Sequence, residues 1–280
     1  METQKTIARE GQVSGIGLHT GKESRVFLKP APPDSGIRFY HEGRFLSGLS
    51  SESHFDNSVH SIRCSALGNE EDRILTVEHL LAALGGLGIT NLQLDVHGPE
   101  IPGTDGSALP FVELIQALGV TDQGKAIDSY RVTEPIFCGD QKKAIAIYPS
   151  DTLSIAYVLD YEHPYLRGQK VEFEITPETF ARDIAPARTF CTEEEAQGLK
   201  ERGIGLGADR TNTVVVDAQG SHRANQRFED ECARHKVLDI VGDLNLLGFP
   251  IQGRVVAIRS GHTLNRQLVR AIRQQRDAGT

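Results

Sequence analysis

Apolar residues recur along this chain with two periods. Every-other-residue alternation predicts strands over residues 24–30, 36–41, 58–67, 91–98, 129–138, 143–150, 153–161, 170–176, 211–219 and 253–260. Helical spacing predicts helices over 76–88, 107–119, 177–184, 193–203, 233–248 and 262–275. Thr76 is placed to cap the first of these, and a glycine ends it. Ser107 is placed to cap the second, with Pro110 in its first turn. The polar stretch 120–129 reads as a linker, after which the strand pattern restarts.

The two sides of that linker resemble each other. With Gly88 set over Gly248, Val77 falls on Val237, Leu84 on Leu244 and Leu87 on Leu247. In each half a helix, a strand and a second helix follow in the same order. An internal duplication is expected: an α+β protein of two similar two-layer α/β sandwich domains, residues 1–126 and 127–280, each with a small insert.

The helix over 233–248 poses a chemical question. Val237, Ile240, Val241, Leu244 and Leu247 form one face, while His235, Asp239 and Asp243 lie four residues apart on the other. Such a trio is either a solvated face or part of a metal site, because side chains at i and i+4 can bind one ion together. A third ligand can come from the other half, where His79 falls on Asp239 in the superposition. His79, His235 and Asp239 give two imidazoles and a carboxylate, the pattern of a catalytic Zn²⁺ site with an open position at the interface of the halves. Glu78, in the first turn of its helix beside His79, is placed to act as a base toward water activated by the metal. The spacing is not that of the HExxH zinc proteases.

Composition narrows the field. The chain has 280 residues, 39% hydrophobic and 24% charged, enough for a large core. A formal charge of -8 argues against nucleic acid as a partner. There is no apolar run long enough to span a membrane, and the N-terminus lacks a signal-peptide core. Cys64, Cys138, Cys191 and Cys232 form no CxxC pair and read as free thiols of a cytoplasmic protein.

Six motifs, "GIGLHTGK", "TVEHLLAALGGLGITNLQLDV", "EIPGTDGSALPF", "ARTFC", "HKVLDIVGDLNLLG" and "SGHTLNRQLV", together resemble the UDP-3-O-acyl-N-acetylglucosamine deacetylases of lipid A biosynthesis. They occur in that family's order from residue 15 to 269. The resemblance implies zinc-dependent removal of an acetyl group from the sugar nitrogen, the committed step toward the outer-membrane lipid anchor. It places the zinc ligands on His79, His235 and Asp239, the base on Glu78 and a second catalytic histidine on His262, held protonated by Asp243. Thr189 would help bind the oxyanion, and Phe190, His19 and Lys236 would contact substrate. Lys236, about 100° round the helix from His235, should point to the side of the metal, toward the phosphates. The insert near 192–213 would enclose the acyl chain, and His163 would border the site. The implied partner is a UDP-linked acylated amino sugar, bound by a monomer.

Other motifs carry less. "GIGLHTGKE" fails as a P-loop on register and on Glu23, and "GIGLG" follows a polar helix, not a strand. His97 and His222 read as structural or exposed, and 105–107 as a turn. The competing readings are a non-catalytic sugar-nucleotide binding protein of the same fold and a zinc amidohydrolase for a different acylated amino sugar.

Overall fold

A computed structural model of the chain describes residues 2–48, 63–69 and 71–279. The first half builds a sheet from β1 (Gly11–Ile16), β2 (Glu23–Pro30), β3 (Ile37–His41), β4 (Arg44–Gly48) and β5 (Leu92–His97). Their order is β1-β2-β5-β3-β4, antiparallel throughout except that β3 runs parallel to β5. The second half builds a sheet from β6 (Ile136–Gly139), β7 (Ala144–Tyr148), β8 (Leu153–Leu159), β9 (Gln169–Glu174) and β10 (Ile251–Ile258). Its order is β6-β7-β10-β8-β9, again antiparallel except for β8 against β10, and Tyr130–Arg131 adds a short parallel pairing to β10. The two sheets thus share one strand order and one set of strand directions. Alternation makes these strands: in β10 Ile251, Val255 and Ala257 turn inward while Arg254 and Ile258 turn out.

Helices flank the last strand of each sheet in the same way. In the first half α1 (Glu78–Gly86) precedes β5 and α2 (Leu109–Leu118) follows it. After the polar helix α3 (Glu193–Glu201), α4 (Glu231–Asn245) precedes β10 and α5 (His262–Ala278) follows it. The equivalent helices α1 and α4 pack against each other across the middle of the molecule. Gly242 permits this: a Cβ there would lie 2.2 Å from the Glu78 carbonyl oxygen. Asn245 fastens the crossing by donating from Nδ2 to the Leu81 carbonyl at 3.0 Å. Gly242→Ala must push the helices apart, at about 1–3 kcal/mol, the usual cost of overpacking. A lower denaturation midpoint is expected. A variant matching wild type would show that the crossing tolerates a methyl group.

Several expectations need correction. Thr76 does not cap α1. Its backbone φ is +57°, an uncommon conformation for a β-branched residue, and its hydroxyl donates to Glu100 at 2.7 Å instead. Ser107 stands one residue before the N-cap Ala108, although its hydroxyl accepts from the Leu109 amide at 3.2 Å. The 120–129 linker is mostly a strand, Val120–Ala126, paired antiparallel with Thr3–Ile7. That strand is exposed on nearly every residue, so it carries no apolar alternation to betray it. The expected strand 129–138 breaks into Tyr130–Arg131 and β6. Of the strand expected over 58–67, residues 58–62 lie outside the described residues, and Ala66–Gly68 pairs with Arg73–Leu75. The 177–184 helix is a single α-helical turn running into a π-helical turn at Phe180–Ile184. Among the described residues, no helix is long and apolar enough to cross a membrane.

Candidate active site and metal centre

The α1–α4 crossing decides what the polar face of α4 meets. Glu78 and His79 open α1, and His235, Asp239 and Asp243 follow one another at single turns of α4. None of these five is more than 4% exposed. The face is therefore buried, and the apolar seam packs into the core on the other side.

His79, His235 and Asp239 each offer one donor atom, and the three atoms lie within 4.8 Å of one another. The two imidazoles stand at 87° with centroids 5.0 Å apart. His235 Nδ1 donates to the Ala187 carbonyl at 3.0 Å, which leaves Nε2 unprotonated in the neutral ring and 3.4 Å from Asp239 Oδ1. Burial, and then the neighbouring His235, push His79 down to about 3, and burial also lowers His235. Both rings are thus held neutral, the form that binds a metal. Burial alone would raise Asp239, but Lys236, His235 and His262 hold it well below the usual carboxylate range. Its Oδ2 accepts from the Lys236 ammonium. Its Oδ1 is buried with no hydrogen-bond partner. A buried orphan acceptor costs about 1–3 kcal/mol unless something satisfies it. Two imidazole nitrogens and this oxygen suit Zn²⁺, with three protein ligands and one position left open.

A second set of groups stands beside the donors. Glu78 Oε2 accepts from the Ser65 amide at 3.0 Å, and Oε1 lies 3.5 Å from His262 Nε2. His262 Nδ1 donates to Asp243 Oδ2 at 2.8 Å. Asn265 Nδ2 donates to the same oxygen at 2.8 Å, and the Ser65 hydroxyl takes the other one. Burial pushes Glu78 up to about 7, helped by Asp239 and Asp243 against the opposing His262. Burial would lower His262, but Asp243, Asp239 and Glu78 outweigh it and raise it to about 9. A carboxyl able to take a proton and an imidazolium able to give one therefore stand 3.5 Å apart.

Glu78, His79, His235, Asp239 and His262 line one cleft of about 340 Å³, and Asp243 backs it from beneath His262. Thr189, Phe190, His19 and Lys236 line it too. Thr189 is set by its amide, which donates to the Gly106 carbonyl at 2.8 Å. The Phe190 ring meets the His235 ring edge-on at 6.5 Å. His19 is fixed through its amide, which donates to Glu100 at 2.9 Å, while its buried Nδ1 has no partner. The Lys236 ammonium pairs with Asp239 Oδ2, the oxygen other than the one that faces His235. The buried carboxylate draws it there. His163 is not in the cleft wall, and its Nδ1 accepts from the Tyr165 amide at 3.3 Å.

Sequence reasoning missed three supports. Asn265 had a signal, since it lies one helical turn from His262. Ser65 had none, being one serine in a strand-like run. Glu100, fully buried, gathers the His19 and Thr20 amides and the Thr76 hydroxyl. It thereby ties the His19 loop to the start of α1.

The sequence profile of the UDP-3-O-acyl N-acetylglycosamine deacetylase family matches residues 4–274. A UDP-3-O-acyl-N-acetylglucosamine deacetylase of Syntrophotalea carbinolica is 40% identical over 96% of this chain and 87% of its own length. Proteins of the same name from Thermodesulfovibrio yellowstonii and Citrifermentans bemidjiense are 38% and 39% identical, over 97% and 99% of this chain and 92% and 91% of theirs.

Proposed function

Because the chain belongs to the UDP-3-O-acyl N-acetylglycosamine deacetylase family, we propose that it hydrolyses the N-acetyl group of UDP-3-O-acyl-N-acetylglucosamine. The products are acetate and the free amine, an early commitment to lipid A. His79, His235 and Asp239 hold a Zn²⁺ ion. The observation that carries this reading is the unpartnered, buried Asp239 Oδ1 facing two neutral imidazoles.

When bound, Zn²⁺ supplies Lewis acidity, which makes water a usable nucleophile near neutral pH and polarises the amide carbonyl. Glu78 takes the proton of the attacking water, and its burial keeps it basic enough to do so. The Thr189 hydroxyl donates to the oxygen that gains charge as the carbonyl carbon becomes tetrahedral. His262 Nε2 gives its proton to the sugar nitrogen, so that the C–N bond breaks to release an amine and not an amide anion. Asp243 keeps that imidazole protonated and oriented. Phe190 and His19 shape the walls. Leu199 and Ala208, from the segment after Thr192, contribute apolar surface for the acyl chain.

The proposal assigns residues 1–126 to one domain and 127–280 to the other, and the shared strand order of the two sheets supports that division. Four free cysteines support a reducing, cytoplasmic setting, and a monomer suffices because one chain supplies every group named. The decisive experiment measures acetate released from the UDP-linked substrate together with metal content by mass spectrometry. Bound zinc without acetate release would sink the catalytic reading.

Lys236 has two further ammonium protons after pairing with Asp239, and it lines the cleft. On the substrate-binding assignment, Lys236→Ala raises KM for the nucleotide substrate about tenfold or more, the worth of a charged hydrogen bond. Zinc should stay at one per chain. Loss of zinc with unchanged KM would instead make Lys236 a support of the Asp239 ligand.

A further inference from the structure

Arg63 crosses the cleft from the first half to the second. Its Nη1 lies 2.8 Å from Glu195 Oε1 on α3, and its Nη2 donates to the Tyr161 hydroxyl at 3.2 Å. Both partners bear on Phe190. The Tyr161 ring meets the Phe190 ring at 6.0 Å, and the Phe190 ring in turn meets the His235 ring. Glu195 Oε2 accepts from the Thr192 amide at 3.0 Å, while the Thr192 hydroxyl accepts from the Glu195 amide at 3.2 Å. This reciprocal cap joins α3 to the strand Phe190–Thr192. One guanidinium thus holds the aromatic ring beside Phe190 and the helix cap at the end of its strand.

We infer that Arg63 is a positioning residue of the cleft, fixing Tyr161 and the strand Phe190–Thr192 against the ligand His235 and so setting how closely the wall fits the substrate. The Arg63–Glu195 pair is part-exposed, 41% and 30% at the side chains. Such a pair adds little to global stability. Its consequence is local: it joins three segments that are far apart in sequence at the wall that faces the metal ligands. Only the kinetic part of this inference rests on the deacetylase reading.

Cys191 reports on the wall without any substrate. The residue lines the cleft on the strand that Arg63 restrains and is only 7% exposed. The test alkylates the full-length protein with iodoacetamide and follows Cys191 by peptide mass spectrometry, in wild type, Arg63→Ala, Arg63→Lys and Tyr161→Phe. Removing the guanidinium takes away a cation that favours the Cys191 thiolate, which by itself slows labelling. Faster labelling therefore reads exposure. Arg63→Ala is expected to label about two- to fivefold faster, the scale of a lost part-exposed ion pair, with Arg63→Lys and Tyr161→Phe in between. In turnover, Arg63→Ala should raise KM by a similar factor, change kcat little and keep its zinc. Wild-type labelling rates in Arg63→Ala would overturn the inference. If that variant does not fold, wild-type rates in both Arg63→Lys and Tyr161→Phe overturn it equally. Faster labelling in a protein that releases no acetate even as wild type would support the wall and sink the deacetylase reading.

Discussion

His235→Ala is expected to lose its zinc and, with it, activity on the order of 10³-fold, because the metal supplies several kcal/mol of transition-state stabilisation. The side chain is one of three donors, and its Nε2 is the donor that faces the orphaned Asp239 oxygen. The substitution also removes the hydrogen bond to the Ala187 carbonyl and the edge contacts to His79 and Phe190. Some thermal stability should therefore go too, and a melting curve belongs beside the metal analysis. The two losses separate on adding excess zinc: a stability defect persists, while an affinity defect is partly repaired. Stoichiometric zinc and full turnover in the purified variant would mean that the metal sits elsewhere.

The second large effect concerns proton transfer. Glu78→Gln and His262→Ala should each lower kcat by about 10²–10⁴, the usual contribution of a positioned acid or base, while zinc stays in place. Glu78 works deprotonated, so the rate falls as pH drops through its pKa. Burial lifts that value to about 7, and a bound cation next door moves it lower. His262 works protonated, so the rate falls as pH rises through its pKa, which the surrounding carboxylates lift to about 9. The wild-type profile is expected to be a bell. His262→Ala should abolish its alkaline limb, and Asp243→Asn should shift that limb to lower pH by removing the carboxylate 2.8 Å from Nδ1. An alkaline limb unmoved in both variants would take the acid role away from His262.

Much of this site was legible before any coordinates. The i, i+4 spacing of His235 and Asp239 and the helix-on-helix superposition bring in His79 without a structure, since equivalent helices of two similar halves meet at their interface. What periodicity could not supply was tertiary. Thr76 has the composition of a cap, yet a buried carboxylate at Glu100 takes its hydroxyl and the backbone bends to suit. The strand Val120–Ala126 is the exposed member of a two-stranded ribbon whose partner Thr3–Ile7 carries the buried residues, so polar residues form it as well as apolar ones would. Lys236 pairs with the buried Asp239 carboxylate, a contact that helical angle alone does not reveal. Ser65 and Arg63 act through partners more than ninety residues away, at Asp243 and Glu195.

The crossing at Gly242 has a thermodynamic consequence. One candidate donor rides on α1 and two ride on α4, so an ion held by all three would be a ligand of the docked pair of helices and of neither alone. Binding free energy and docking free energy are then linked, and the linkage is reciprocal. Whatever tightens the junction of the halves raises metal affinity by the same factor by which the metal tightens the junction. On the proposed zinc assignment, the dissociation constant for zinc would become a gauge of how firmly the two halves are held together, readable in variants placed far from any donor atom.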